Sequence, residues 1–158
     1  MLIETVPFTH PDVETLTEAA QRFYRERYGD PDESPIDPAE FAEPKGTFLL
    51  GTLDGEPIAC GGWRSGVHGD PGDVEIKRMF VLAEHRGKGL ARVLIAELER
   101  TAALAGFTRV ILETGTEQPE AMAFYVSTGY HPIPSFGYYR EAPECRCYAK
   151  QLTTPPRS

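Results

Sequence analysis

The sequence predicts a mixed α/β (α+β) domain, a sheet with helices over its faces, on three observations. In "TFLLGTLDGEPIACGGWR" two apolar runs flank Asp54-Gly55, a pair that tolerates the positive φ of a tight hairpin turn. Two segments, within 11–23 and 89–105, place apolar residues at helical spacing. Beyond the hairpin, strand and helix patterns alternate, as in a sheet covered by helices. A chain of 158 residues suits one core, so a single domain is expected over 1–152, with a polar tail at 153–158.

The elements follow in order. "MLIETV" reads as a strand. Thr9 or His10 caps a helix with Pro11 in its first turn and Val13, Leu16, Ala20 and Phe23 along one side. "GDPDESPIDPAEFAEPKG" reads as a loop around a short helix at 37–43. After the hairpin, Gly61-Gly62 signals a bulge or a close backbone approach, and "DVEIKRMFVL" is the next strand. In the 89–105 helix, Leu90, Val93, Leu94, Leu98, Ala102 and Ala105 form the apolar face, and Gly106 stops it. "FTRVILE" is a strand, and "PEAMAFYVST" a helix opened by Pro119 and ended by Gly129. "GYHPIP" and "CRCYAKQL" complete the strands.

Composition excludes some functions. The 16 basic residues are outnumbered by 24 acidic ones, a formal net charge of -8 that repels polyphosphate at long range. No nucleic-acid partner is therefore expected, and such a surface suits a cationic small molecule. No stretch approaches the roughly 20 apolar residues that cross a bilayer, and the acidic start lacks a signal peptide's features. No membrane partner and a cytoplasmic location are the expectations. Cys60, Cys145 and Cys147 are spaced for neither a disulfide framework nor zinc, so no metal is expected. Cys145 and Cys147 would share one face of a strand.

"HRGKGLAR", residues 85–92, links a strand to an amphipathic helix. The first N–H groups of a helix lack intrahelical partners and carry partial positive charge, and glycines let a phosphate approach them. The segment is not a triphosphate loop, because Lys88 is followed by Gly89 rather than Ser or Thr, and it lacks the third glycine of GxGxxG. On its own it reads equally as a phosphate cradle or an ordinary cap.

"EIKRMFVLAEHRGKGLARVLIAELE", "GFTRVILETG" and "QPEAMAFYVSTGYHPI" together resemble the GNAT superfamily of acyl-CoA-dependent N-acetyltransferases, of the small bacterial type. "RGKGLA" matches that family's [QR]-x-x-G-x-[GA] signature, with Arg86, Gly89 and Ala91 at the defining positions. The likeness spans about 47–133 and is weak over 1–46. It implies a mixed, mostly antiparallel sheet of about seven strands, with helices on both faces and a central pair splayed after Leu112. Acetyl-CoA (coenzyme A) is the implied cosubstrate. Backbone amides of Arg86, Gly87, Lys88, Gly89, Leu90 and Ala91 would grip its pyrophosphate. Met79, Phe80 and Val81 would pair with the pantetheine arm like an added strand, with the Val81 N–H aimed at the thioester oxygen. Gln118 stands where many members have Asn contacting the pantetheine. Homodimers are common in the superfamily, so one is expected.

The resemblance implies Tyr125 as general acid toward the thiolate, the alternative being that Phe124-Tyr125 only packs the helix. Glu75 is the base candidate: in a regular strand it shares the face of Met79 and Val81, and a bulge would break that relation. Its other reading is a salt bridge with Lys77 or Arg78. Glu113 is a second base candidate, while His131 and His85 read as turn and loop residues. The acceptor side is expected from 11–43, the 66–72 loop and "PSFGYYREAPE". Trp63, Tyr138 and Tyr139 would supply aromatic walls, and Glu33, Asp37 and Glu40 negative charge. The expected reaction is direct attack of a small-molecule primary amine on the thioester. The alternatives are a non-catalytic acyl-CoA sensor, or acetylation of a protein or peptide amine.

Overall fold

The computed structural model describes residues 1–153, so the foreseen tail lies, from 154 on, outside the described residues. Seven strands form one sheet: β1 (Leu2–Thr5), β2 (Gly46–Leu53), β3 (Glu56–Ser65), β4 (Asp73–Val81), β5 (Arg109–Gly115), β6 (His131–Ile133) and β7 (Cys145–Gln151). Their order is β1-β2-β3-β4-β5-β7-β6. Only β4 and β5 are parallel; the other neighbours pair antiparallel.

Helices cover both faces. On one side lies α1 (Pro11–Tyr28), where the His10 ring accepts from the Asp12 N–H at 3.1 Å and Gly29, at φ 84°, ends the helix. Val13 and Leu16 pack with Phe41, Phe48, Leu50 and Cys60. On the other lie α2 (Leu90–Leu104) and α3 (Pro119–Ser127). Leu94, Ile95, Leu98 and Ala102 of α2 pack on Ile58, Trp63, Val74, Ile76 and Val110. Val93 departs from expectation: it stands on the far side of the helix from this stripe and is 52% exposed.

The hairpin turns on Asp54 (φ 52°) and Gly55 (φ 81°), as the sequence predicts. The glycine pair answers to close approach. A Cβ on Gly62 would run into the Phe48 ring, the Thr47 carbonyl and Phe41.

Two irregularities of β4 shape the site. Between Cys60↔Phe80 and Gly62↔Lys77, β3 advances two residues and β4 three. β4 therefore bulges at Arg78, which takes the left-handed conformation at φ 59°. The extra residue inverts the alternation, which corrects the expectation for Glu75. It shares a face with Lys77 and Phe80, on the α1 side, while Met79 and Val81 pack toward α2. Second, β4 and β5 pair only from Asp73↔Arg109 to Glu75↔Ile111. Beyond that point they diverge, one residue earlier than expected, and a slot opens between them.

Candidate active site

A cavity of about 260 Å³ lies at the splay, between the end of α1, the bulge of β4, the end of β5 and the start of β7. Tyr125, Gln118 and Glu113 line it; Glu75 does not.

Tyr125 is carried by α3, which Pro119 opens. Its ring packs against Tyr130 and Tyr148, with centroids 5.7 and 6.3 Å away. Burial pushes its phenol up to about 12, so it is a neutral proton donor at any working pH. Gln118 precedes α3, and its amide donates to the Tyr28 hydroxyl at 3.0 Å. Tyr24, also on α1, is raised well above its ordinary value by burial and by the nearby Asp32.

The two candidate bases have different surroundings. Glu75 is 1% exposed, and its Oε1 accepts from Arg64 Nε at 3.0 Å and lies 3.0 Å from His68 Nδ1. The salt bridge expected with Lys77 or Arg78 does not form; Glu75 pairs with Arg64 instead, with the His68 ring beside it. Glu113 lines the cavity, with Lys77 Nζ 3.6 Å from its Oε1. Burial raises its carboxyl; Lys77 opposes that shift, and the charges of Glu75 and Asp32 add to it.

Asp32 anchors the opposite wall. It accepts from the Ser34 N–H at 2.9 Å, the Ser34 hydroxyl at 2.7 Å and the Tyr139 hydroxyl at 3.2 Å. Burial would raise its carboxyl, but Lys77 and the Ser34 hydrogen bonds outweigh that and hold it below its ordinary value. Asp30, Glu33 and Glu144 add acid at the cavity rim.

At the other end of the slot, Gly87 and Gly89 both take φ 78°. Gly89 caps α2 without any side chain covering the first amides, which leaves them open to an anion. The Arg86 N–H differs from its neighbours: it donates to the Ala83 carbonyl at 3.2 Å, inside the three-ten turn Ala83–His85. The Arg86 side chain turns inward, donating from Nε to the Val81 carbonyl at 3.0 Å and stacking 4.8 Å from the Phe23 ring. Lys88 is exposed, and Leu90 and Ala91 begin the helix. The Leu82 N–H donates to Ile58 of β3 at 2.9 Å. Since strand amides alternate in direction, the Val81 N–H points away from β3, toward the slot.

Several expected acceptor residues lie elsewhere. Trp63 is a core residue, 3% exposed, whose Nε1 donates to Thr101 Oγ1. Asp37 and Glu40 form a capping box on the three-ten turn Pro38–Phe41, and Glu40 also accepts from Arg64 at 3.0 Å. Tyr139 and Glu33 do line the cavity, and the Glu33 N–H donates to the Tyr139 hydroxyl at 2.7 Å. Tyr138 is half-exposed and His131 lies exposed on β6. Tyr24, Tyr28 and Asp32 reach the cavity from the 11–43 segment expected on the acceptor side, whereas Lys77, Arg78 and Cys145 reach it without having been foreseen.

Among the described residues, no helix is long and apolar enough to cross a membrane. The sequence profile described as "Acetyltransferase (GNAT) family" matches residues 13–130. An "IAA acetyltransferase" of Azospirillum brasilense is 31% identical over 128 residues, covering 81% of this chain and 82% of the relative. A Klebsiella pneumoniae structure, provisionally assigned as an acyl-CoA N-acyltransferase, superposes with a TM-score of 0.77 at 27% identity, covering 96% and 97% of the two chains. The PaiA N-acetyltransferase of Thermoplasma acidophilum, solved with coenzyme A, has a TM-score of 0.69 over 96% and 100% of the chains. At 16% identity it shows the fold alone. The profile spans most of the chain, and the alignment with the Azospirillum relative takes in more than four fifths of each protein: the chain belongs to the acetyltransferase (GNAT) family.

Proposed function

We propose that this chain transfers an acetyl group from acetyl-CoA to a primary amine of a small molecule, by direct attack on the thioester. One observation carries the reading: where β4 and β5 part, a cavity is lined by the Tyr125 phenol and by Glu113, a carboxyl with a raised pKa, and the helix that follows β4 starts uncapped.

Acetyl-CoA supplies the activated acyl carbon. The amides of Gly87, Lys88, Gly89, Leu90 and Ala91 receive the diphosphate, while Arg86 serves by locking the loop to Val81 and Phe23. The edge of β4 from Met79 to Val81 holds the pantetheine arm, Phe80 turning its ring toward Phe23. Gln118 stands at the same slot. The Val81 N–H donates to the oxygen that gains charge. Glu113 takes the proton of the attacking ammonium, and its raised pKa brings it closer to that task than an ordinary carboxylate. Tyr125 donates toward the departing sulfur. Glu75 is assigned a structural role, because Arg64 and His68 hold it outside the cavity lining.

The cavity volume favours a small acceptor. Its acidic rim of Asp30, Glu33 and Glu144 favours a cationic one. Calorimetry should give micromolar acetyl-CoA binding, about -8 kcal/mol, and a panel of primary amines should yield N-acetyl products by mass spectrometry. Absence of binding at millimolar acetyl-CoA would overturn the reading. Binding without transfer to any amine would overturn its catalytic part.

A further inference from the structure

The start of β7 puts two thiols on one face of the sheet, and a carboxylate stands across from them. Cys145 and Cys147 alternate along the strand, so their side chains project together, and their sulfurs lie 3.9 Å apart. On β5, Glu113 is opposite Cys147, and Gly115, opposite Cys145, adds no side chain to crowd that face. Glu113 Oε2 lies 3.9 Å from Cys145 Sγ. The three ligand atoms all fall within 4.8 Å of one another.

We propose that Glu113, Cys145 and Cys147 form a zinc site in the cavity wall, with its fourth position open to the cavity. Tetrahedral zinc holds sulfur at about 2.3 Å and carboxylate oxygen at about 2.1 Å, which sets a sulfur–sulfur edge of about 3.8 Å and a sulfur–oxygen edge of about 3.6 Å. Both 3.9 Å separations lie within a few tenths of an ångström of those edges. The remaining edge, Glu113 to Cys147, lies within 4.8 Å, and metal binding requires the Glu113 side chain to rotate to close it. Two thiolates and a carboxylate carry three negative charges. Zinc offsets two, and the Lys77 ammonium, 3.6 Å from Glu113 Oε1, offsets the third.

The donor set also selects the metal. Thiolate sulfur favours zinc over magnesium or calcium, which take oxygen ligands. Both cysteines are free thiols before the ion arrives. Each then loses its proton to the buffer as its bond to the metal forms. Glu113 and Cys145 line the cavity, which provides the entry path. Three protein ligands with an open fourth position mark a site that exchanges its metal or outer ligand, rather than a closed structural one.

A consequence rests on the proposed function: zinc on Glu113 occupies the base, so the ion inhibits acetyl transfer. The metal site itself does not depend on that reading.

The test is cobalt titration of the reduced, full-length chain. One Co²⁺ per chain should bind with a thiolate-to-cobalt charge-transfer band, which one equivalent of Zn²⁺ abolishes and Mg²⁺ leaves unchanged. Cys147→Ser should weaken cobalt binding at least tenfold while circular dichroism stays native. No charge-transfer band in the wild-type chain overturns the proposal whatever the variant does, as does a band that survives in folded Cys147→Ser at unchanged affinity. In acetyl transfer counted by mass spectrometry, which avoids zinc-binding thiol reagents, Cys147→Ser should keep its basal rate and need at least tenfold more zinc for half-inhibition. Equal zinc sensitivity in the two proteins would overturn the link to Glu113. If no amine is acetylated at all, the cobalt result still decides the site.

Discussion

Arg64 and Glu75 meet in the interior of the protein, with the guanidinium Nε 3.0 Å from the carboxylate and side chains 2% and 1% exposed. The second arm of Arg64 reaches Glu40 at 3.0 Å, so the pair ties β3, β4 and the Pro38–Phe41 turn together. Removing one member of a buried pair leaves the other uncompensated, at a cost of about 3–5 kcal/mol. Glu75→Gln should fall at the low end, about 3 kcal/mol, because Glu40 still faces Arg64. Urea denaturation measures this loss. The folded variant should keep the acidic limb of its pH–rate profile, moved to lower pH because the Glu75 charge that helps raise Glu113 is gone; loss of that limb would return the base role to Glu75.

Glu113→Gln should do the reverse. General-base catalysis contributes about 10²- to 10⁴-fold, so turnover should fall at least a hundredfold with acetyl-CoA affinity nearly unchanged. In wild type the rate should drop with falling pH through a pKa above the ordinary carboxylate value, since burial raises Glu113. The same shift works against folding. A carboxyl whose folded pKa is raised binds its proton more tightly in the native state, so its contribution is present below the unfolded value and lost as pH rises through the folded one. Glu113→Gln should therefore stabilise the chain at neutral pH relative to wild type, and leave it unchanged well below pH 4.5. A loss of stability at neutral pH would show that Lys77 depends on the Glu113 charge more than burial penalises it.

The contrast between these two carboxylates shows what the sequence could convey. Local signals were legible because they act between near neighbours: Asp54-Gly55 in the hairpin turn, Pro119 opening α3 and Gly89 before α2. The common face of Cys145 and Cys147 follows from strand period alone. The bulge at Arg78 was not legible, since only the register between β3 and β4 reveals the extra residue. That one residue moved Glu75 to the opposite face from Met79. Glu113 facing Cys147, and Tyr28 reaching Gln118, likewise depend on register and helix placement. Asp37 and Glu40 did carry a local signal, since Asp-x-x-Glu ahead of an apolar residue is a capping box. That local role, and not acceptor charge, accounts for both residues.

Tyr125→Phe isolates the proton donor. The ring contacts with Tyr130 and Tyr148 survive the change, so the fold should be kept and acetyl-CoA affinity should stay within about twofold. Turnover should fall about a hundredfold. With its phenol raised to about 12 by burial, wild type should show no alkaline loss of rate from this group up to about pH 10. Equal turnover in the two proteins, measured at saturating acetyl-CoA, would remove Tyr125 from the reaction.

The start of α2 separates backbone from charge as the source of coenzyme A affinity. Lys88 is exposed, and an exposed charge contributes about 1 kcal/mol or less, so Lys88→Ala should weaken binding by about fivefold or less. Added salt should shrink even that difference. Gly89→Glu should abolish binding, because it sets a carboxylate among amides that favour an anion and strains the backbone at φ 78°. Gly89→Ala distinguishes those causes. Nothing lies within 4 Å of a Cβ there, so alanine carries only the left-handed penalty of about 1–2 kcal/mol. Calorimetry should place its affinity between those of wild type and Gly89→Glu. If Lys88→Ala and Gly89→Glu lose equal affinity, side-chain charge rather than the backbone holds the diphosphate.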